Sequence, residues 1–84
     1  MEIKLFYKQD CPRCPVGKEV CKKLEEKGYP VNYYDVDSVD GMAEAMFYMV
    51  MATPSLIVLD DKGNEVAAWR GSAPELDEVL SILK

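Results

Sequence analysis

Seven blocks of apolar and polar patterning organise the chain. "EIKLFY" (residues 2–7) is short and rich in β-branched and aromatic side chains, the mark of a strand. "KQDC" follows as a loop, and Pro12 then suits the first position of a helix, where its missing N–H costs nothing. From there Val16, Val20, Cys21 and Leu24 recur at helical spacing with Lys and Glu on the other face, and Gly28 followed by Pro30 ends the helix. "VNYYDV" (31–36) reads as a second strand. "DSVDGMAEAMFYMV" (37–50) opens with Asp and Ser capping candidates and is helical through Val50, after which "ATP" breaks it. "SLIVL" (55–59) is a continuous apolar run, suited to a strand covered on both faces. "DDKGNE" (60–65) is a tight turn, "VAAWR" (66–70) a fourth strand in a hairpin with the third, and Gly71 stops it. "SAPELDEVLSILK" (72–84) is an amphipathic helix, with Ser72 or Ala73 near its cap, Pro74 in its first turn, and Leu76, Val79, Leu80 and Leu83 on one side.

The order is β-α-β-α-β-β-α, without internal repeat, linker or low-complexity segment. Short βαβ units favour right-handed parallel crossovers, and "SLIVL" stays dry only if helices cover both faces of the sheet. The expectation is an α/β protein: a four-stranded mixed sheet flanked by three helices. At 84 residues it makes one small domain, spanning 1–84.

Charge narrows the partners. The net charge is −5 and the pI about 4.6, a surface that repels phosphate backbones and gives no attraction to anionic lipid. The longest apolar-leaning stretch is interrupted by Glu44, Thr53, Pro54 and Ser55, too broken for a membrane span of roughly 20 residues. "MEIKLFYKQD" lacks a basic segment followed by an apolar one, so a cytoplasmic location is expected. Histidine is absent, which removes Cys–His nucleophiles, zinc sites of two Cys and two His, and imidazole acid–base catalysis.

All three cysteines fall within "QDCPRCPVGKEVC", residues 9–21. With Cys11 at the cap of the first helix and Cys14 one turn on, their Cβ atoms would lie about 5–6 Å apart, and a modest rotation reaches disulfide distance. The positive end of a helix favours thiolate over thiol, and Arg13, Lys8 and Lys18 push the same way. Cys11 is expected to be the more exposed and more acidic sulfur, the one that attacks a substrate disulfide; Cys14, deeper, resolves the mixed disulfide. Two other readings stand beside this one. The thiols could be neighbours without chemistry, or they could hold a metal ion together with carboxylates or a second copy of the chain, since zinc usually wants four ligands. Cys21 follows Cys14 by two turns, a rise of roughly 10 Å and too far for a disulfide in a rigid helix. It reads as a small buried hydrophobe, with a regulatory thiol as the alternative.

"CPRC" followed by "TPSLIVL", in a β-α-β-α-β-β-α chain, resembles the thioredoxin superfamily, and the likeness runs nearly the whole length, through "YMVMATPSLIVLDDKGNEVAAWRG". The resemblance implies a thioredoxin-like fold, a cis Pro54 facing the cysteine pair, and a Thr53 backbone free to pair with an extended substrate, a form of strand addition. A trans proline that merely stops the second helix is the plainer alternative. In size, and in the proline after the first cysteine, the chain is nearer to glutaredoxins. However, "WRGSAPE" stands where those proteins carry a Gly-Gly pair before an acidic cap, which argues against a glutathione site. Leu5 occupies about the place of the buried acid of thioredoxins proper, leaving Asp10, Asp35 and Asp37 as candidates for proton transfer.

The implied function is a cytosolic thiol–disulfide oxidoreductase that reduces protein disulfides through Cys11 and Cys14, with Pro12, Arg13, Thr53 and Pro54 contacting substrate. No metal or bound cofactor is expected, and electrons would come from a reductase or a small thiol. The resemblance extends to enzymes such as ribonucleotide reductase as acceptors, and to a monomer. The rival function is a binding module on the same fold, carrying metal or sensing redox state without turnover. Met42, Met46, Met49 and Met51, with Phe47 and Tyr48, read chiefly as core, with Met51 and Ala52 exposed beside Cys11. Trp69 reads as packing on an edge strand, with Arg70 solvated.

Overall fold

Alternation along the central strands decides the architecture. A computed structural model describes residues 1–83. The elements, in order, are β1 (Glu2–Tyr7), α1 (Cys14–Glu26), β2 (Val31–Asp35), α2 (Val39–Phe47), β3 (Ser55–Leu59), β4 (Glu65–Arg70) and α3 (Leu76–Leu83). The strands form one sheet in the order β2-β1-β3-β4. β1 runs parallel to β2 and antiparallel to β3, and β4 is antiparallel to β3 with a register irregularity at Val58/Leu59. This is the expected four-stranded mixed sheet with three helices, a thioredoxin-like fold.

Because side chains alternate along a strand, β1 and β3 each feed two cores. Ile3, Leu5, Leu56 and Val58 pack with Cys21 and Leu24 of α1 and with Val79 and Leu83 of α3. Phe6, Ile57 and Leu59 point the other way, against Ala45 of α2 and Val50. All five residues of β3 are buried, as a strand covered on both sides requires. Each fully buried Leu, Ile, Val or Phe contributes about 1.5–3 kcal/mol. Trp69, on the edge strand β4, packs against the α1/α3 core.

Several boundaries differ from the sequence reading. α1 begins at Cys14, not Pro12, and Cys11 lies in a turn before it; the Cys14 amide donates to the Cys11 carbonyl at 3.3 Å. Two prolines compete for the start, and Pro15, in the first turn, is the one the helix uses. Val16, placed on the core stripe, points outward at 56% exposure. α2 is shorter than 37–50: Ser38 is its cap, its hydroxyl accepting from the Gly41 amide at 2.9 Å, and the chain leaves the helix after Phe47 through Met49 at φ 59°. β2 stops at Asp35 and β4 starts one residue early, at Glu65. α3 begins at Leu76, with Pro74 ahead of it and the Glu78 carboxylate accepting from the Glu75 amide at 3.0 Å. The last position of the expected final helix, Lys84, lies outside the described residues.

The methionine stripe is the largest correction. Met42, Met46, Phe47 and Met49 are exposed where core was expected, Met51 and Ala52 are exposed as expected, Tyr48 is partly buried against the core, and α2 buries only Gly41 and Ala45. The sheet face beneath α2 is partly filled by Lys4, which is buried yet bonded: its Nζ donates to Glu44 at 2.5 Å and to the Tyr34 hydroxyl at 3.3 Å, and lies over the Tyr34 and Tyr48 rings. Burial works against this charge, but the bonds to Glu44 and Tyr34 more than offset it, and the Lys4 pKa lies above the ordinary lysine value.

Candidate active site

Cys11 and Cys14 are joined as a disulfide, with Cα atoms 5.3 Å apart, inside the usual range for such bonds. Asp10, in a left-handed conformation at φ 59°, turns the chain immediately before Cys11. Cys14 opens α1 and is 2% exposed, whereas Cys11, ahead of the helix, is only partly covered. No acidic side chain stands in the first turn of α1, so its positive end is uncompensated.

Opposite the pair lies the segment that leads into β3. The Thr53–Pro54 peptide is cis, Pro54 is fully buried, and the Thr53 hydroxyl donates to Cys11 Sγ at 3.6 Å. Gly17 is the point of α1 that packs on this segment. A Cβ on Gly17 would stand 3.3 Å from Leu5 Cδ1 and 3.4 Å from Pro54 Cβ. Ser55, buried at the start of β3, ties the loop down: its hydroxyl donates to the Ala52 carbonyl at 2.7 Å and accepts from the Gly71 amide at 3.0 Å. Arg70 donates to the Tyr48 carbonyl at 2.8 Å and pairs with Glu65, so it is bonded rather than simply solvated. Nothing in the residue pattern announced the Ser55–Gly71 and Arg70–Tyr48 contacts, because they join positions 16 and 22 residues apart.

A cleft of about 420 Å³ surrounds the disulfide, lined by Cys11, Pro12 and Cys14 with Lys8, Asp10 and Lys18 among its rim residues. Lys18 is held there by lying 4.1 Å over the Tyr7 ring. Arg13 occupies the cap position of α1, is exposed, and is absent from the cleft lining. Of the three aspartates considered for proton transfer, Asp10 lines the cleft. The Asp35 carboxylate instead accepts from the Asp37 amide at 2.9 Å, in the turn before α2. Leu5 is 1% exposed in the core, so the position at which the resemblance would put a buried acid is apolar here.

A second concavity, of about 270 Å³, is lined by Met42, Met46 and Met51 of the exposed stripe and ends at Thr53. Lys8 borders both hollows. Cys21 takes no part: it is fully buried, and burial, helped by nearby Glu25, pushes its thiol pKa up to about 12. Among the described residues, no three or more Cys, Asp or Glu side chains gather closely enough to hold a metal ion.

A cysteine pair at a helix start, facing a cis-proline at one end of a four-stranded mixed sheet, is the site arrangement of the thioredoxin fold. The chain belongs to the thioredoxin domain family, whose model matches residues 1–84. It is 30% identical over 59 residues to a probable thioredoxin of Archaeoglobus fulgidus, a match covering 69% of this chain and 65% of that relative's length. Among solved structures it is similar to thioredoxin 1 of Thermosipho africanus, with a TM-score of 0.80 at 18% identity, covering 99% of this chain and 90% of the other. It is also similar to a mutant thioredoxin of Halobacterium salinarum, with a TM-score of 0.82 at 27% identity, covering 96% of this chain and 69% of the other. Among the described residues no helix is long and apolar enough to cross a membrane.

Proposed function

We propose that this protein reduces disulfide bonds in other proteins, with Cys11 as the attacking sulfur and Cys14 as the resolving one. The contrast in exposure between the two cysteines supports the assignment, together with the Thr53 hydroxyl on Cys11 Sγ. In the reduced state the positive end of α1, with Lys8 and Lys18 at the cleft, favours an anion on Cys11. That thiolate attacks one sulfur of the substrate disulfide and expels the other as a thiolate, leaving a mixed disulfide. Cys14, 5.3 Å away between Cα atoms, then attacks Cys11 Sγ. The second substrate thiolate leaves, and the Cys11–Cys14 bond forms. Two electrons pass from the pair to the substrate, and the departing thiolates take up protons. Asp10 is the carboxylate at the cleft available to help.

Thr53, set by the buried cis Pro54 behind it, presents its backbone to an extended substrate segment, while Pro12 and Arg13, between the two cysteines in sequence, flank it. The exposed methionine face beside Thr53 gives protein substrates an apolar surface to lie on. An electron-donating reductase or small thiol restores the dithiol, with no bound cofactor. A reducing cytoplasm keeps such a pair cycling, on a monomer, and an enzyme that forms a disulfide in turnover, such as ribonucleotide reductase, is the type of acceptor this reading serves.

Insulin-disulfide reduction tests the assignment. Cys11→Ser should abolish turnover and form no mixed disulfide. Cys14→Ser should abolish turnover but trap Cys11 covalently on the substrate, visible as a mass adduct. Full activity without Cys11, or an adduct on Cys14 in its place, overturns the roles.

A further inference from the structure

Four of the chain's five methionines fall within residues 42–51, and Met42, Met46 and Met51 are 51%, 73% and 94% exposed. A thioether exposed to water is open to oxidation by hydroperoxides, and the sulfoxide it becomes is polar where the thioether was apolar. These three side chains line one hollow, which ends at the residue whose hydroxyl touches Cys11. A protein segment laid along Thr53 to reach the disulfide borders this hollow.

We propose that Met42, Met46 and Met51 form a modification site, oxidised to sulfoxides by hydroperoxides, and that this weakens docking of protein disulfides while leaving the chemistry of the cysteine pair intact. The inference rests on the reading that protein substrates lie on this face. In each step the O–O bond of the peroxide breaks and an S=O bond forms on one methionine. The sulfur loses two electrons, the peroxide gains them, and water or an alcohol leaves. Competing sulfurs are shielded whenever the pair is in its disulfide form: neither Cys11 nor Cys14 then offers a thiolate, and Cys21 is fully buried with its thiol held protonated. Covering a sulfoxide oxygen with a substrate's apolar side chain leaves a polar group short of partners. A small disulfide reaches Cys11 without touching this hollow and is unaffected.

The test treats the disulfide form of the whole chain with hydrogen peroxide, removes the peroxide, and locates sulfoxides by peptide mass spectrometry. Reduction of insulin and of a small aromatic disulfide is then measured side by side. The expected result is oxygen on Met42, Met46 and Met51, a KM for insulin raised on the order of tenfold, and an unchanged rate with the small disulfide. The thermal melt should not move, and treatment with methionine sulfoxide reductases should restore the original KM. A chain carrying Met42→Leu, Met46→Leu and Met51→Leu keeps Met1 and Met49 oxidisable. Whatever its own starting KM, its ratio of treated to untreated KM should stay near one. The proposal is overturned if these methionines resist peroxide, if insulin KM is unmoved by their oxidation, if both substrates suffer equally, if the fold melts, or if the leucine chain loses as much. An untreated chain that reduces the small disulfide but not insulin removes the docking reading itself, a distinguishable failure.

Discussion

Helices α1 and α2 flank opposite faces of one sheet and end in the same way, yet they are held by different forces. In α1 the Tyr29 amide donates to the Leu24 carbonyl at 3.1 Å and the Gly28 amide to Glu25 at 2.9 Å, with Gly28 at φ 94°. In α2 the Val50 amide donates to Ala45 at 2.7 Å and the Met49 amide to Met46 at 3.2 Å, with Met49 at φ 59°. Both are left-handed terminations of the same pattern. α1 is anchored by burial of Cys14, Gly17, Cys21 and Leu24. α2 turns its large apolar side chains outward and is fixed by small residues and polar clasps: the Ser38 cap, Lys4 on Glu44, and Arg70 on the Tyr48 carbonyl. The helix that carries the buried sulfur is thus rooted in the core. The one lining the neighbouring hollow leaves its large apolar side chains exposed, at some cost to its own packing.

The contrast breaks most directly by truncating one apolar side chain on each helix. Leu24→Ala, at a fully buried site, should cost about 2–5 kcal/mol. Met46→Ala, at 73% exposure, should stay within about 0.5 kcal/mol. Urea unfolding read by circular dichroism measures both. A loss of several kcal/mol for Met46→Ala would mean that α2 is held by hydrophobic packing after all.

A smaller effect tests how α2 approaches the sheet. A Cβ on Gly41 would stand 2.5 Å from the Asp35 carbonyl carbon and nearer still to its oxygen, so backbone must move. Gly41→Ala should cost about 1–3 kcal/mol despite alanine's better helix propensity. Gly17→Ala, whose nearest neighbours are side-chain atoms at 3.3 and 3.4 Å, should come out near neutral, the propensity gain offsetting the crowding. Equal losses at the two sites would erase the distinction between a backbone contact and an adjustable one.

The contrast also explains what could be read from residues alone. Element order, the pairing of Cys11 with Cys14, the Thr53–Pro54 turn and the dry β3 were legible because each has a strong local signal: an apolar run, a two-residue spacing, a proline between a helix and a strand. The end of α1 was legible because glycine occupies its left-handed position. The end of α2 was not, since methionine there carries no such mark, and the predicted helix ran on to Val50. The methionines misled for a related reason. Helical spacing tells which residues share a face but not whether anything covers it, and core was the default. Lys4 shows the same limit in a strand. Alternation puts it on the α2 side of β1, but its partner Glu44 lies 40 residues on and only the fold brings them together. The start of α1 was misplaced because two prolines three residues apart satisfy the same rule.

The finest test sits where the two helix ends differ. A left-handed conformation costs a non-glycine residue about 1–2 kcal/mol, and Met49 bears that cost while leaving its side chain 75% exposed. Met49→Gly removes the strain, but it also gives the unfolded chain more freedom to lose on folding. The net should be a gain of about 0.5 kcal/mol, seen as a higher urea midpoint with an unchanged slope. Gly28→Ala, the mirror experiment on α1, should lose about 1 kcal/mol, because nothing lies within 4 Å of the added Cβ and only the φ of 94° opposes it. If Met49→Gly instead destabilises the fold, the Met49 side chain holds α2 in place, and the claim that this helix keeps its methionines free of structural duty fails at that position.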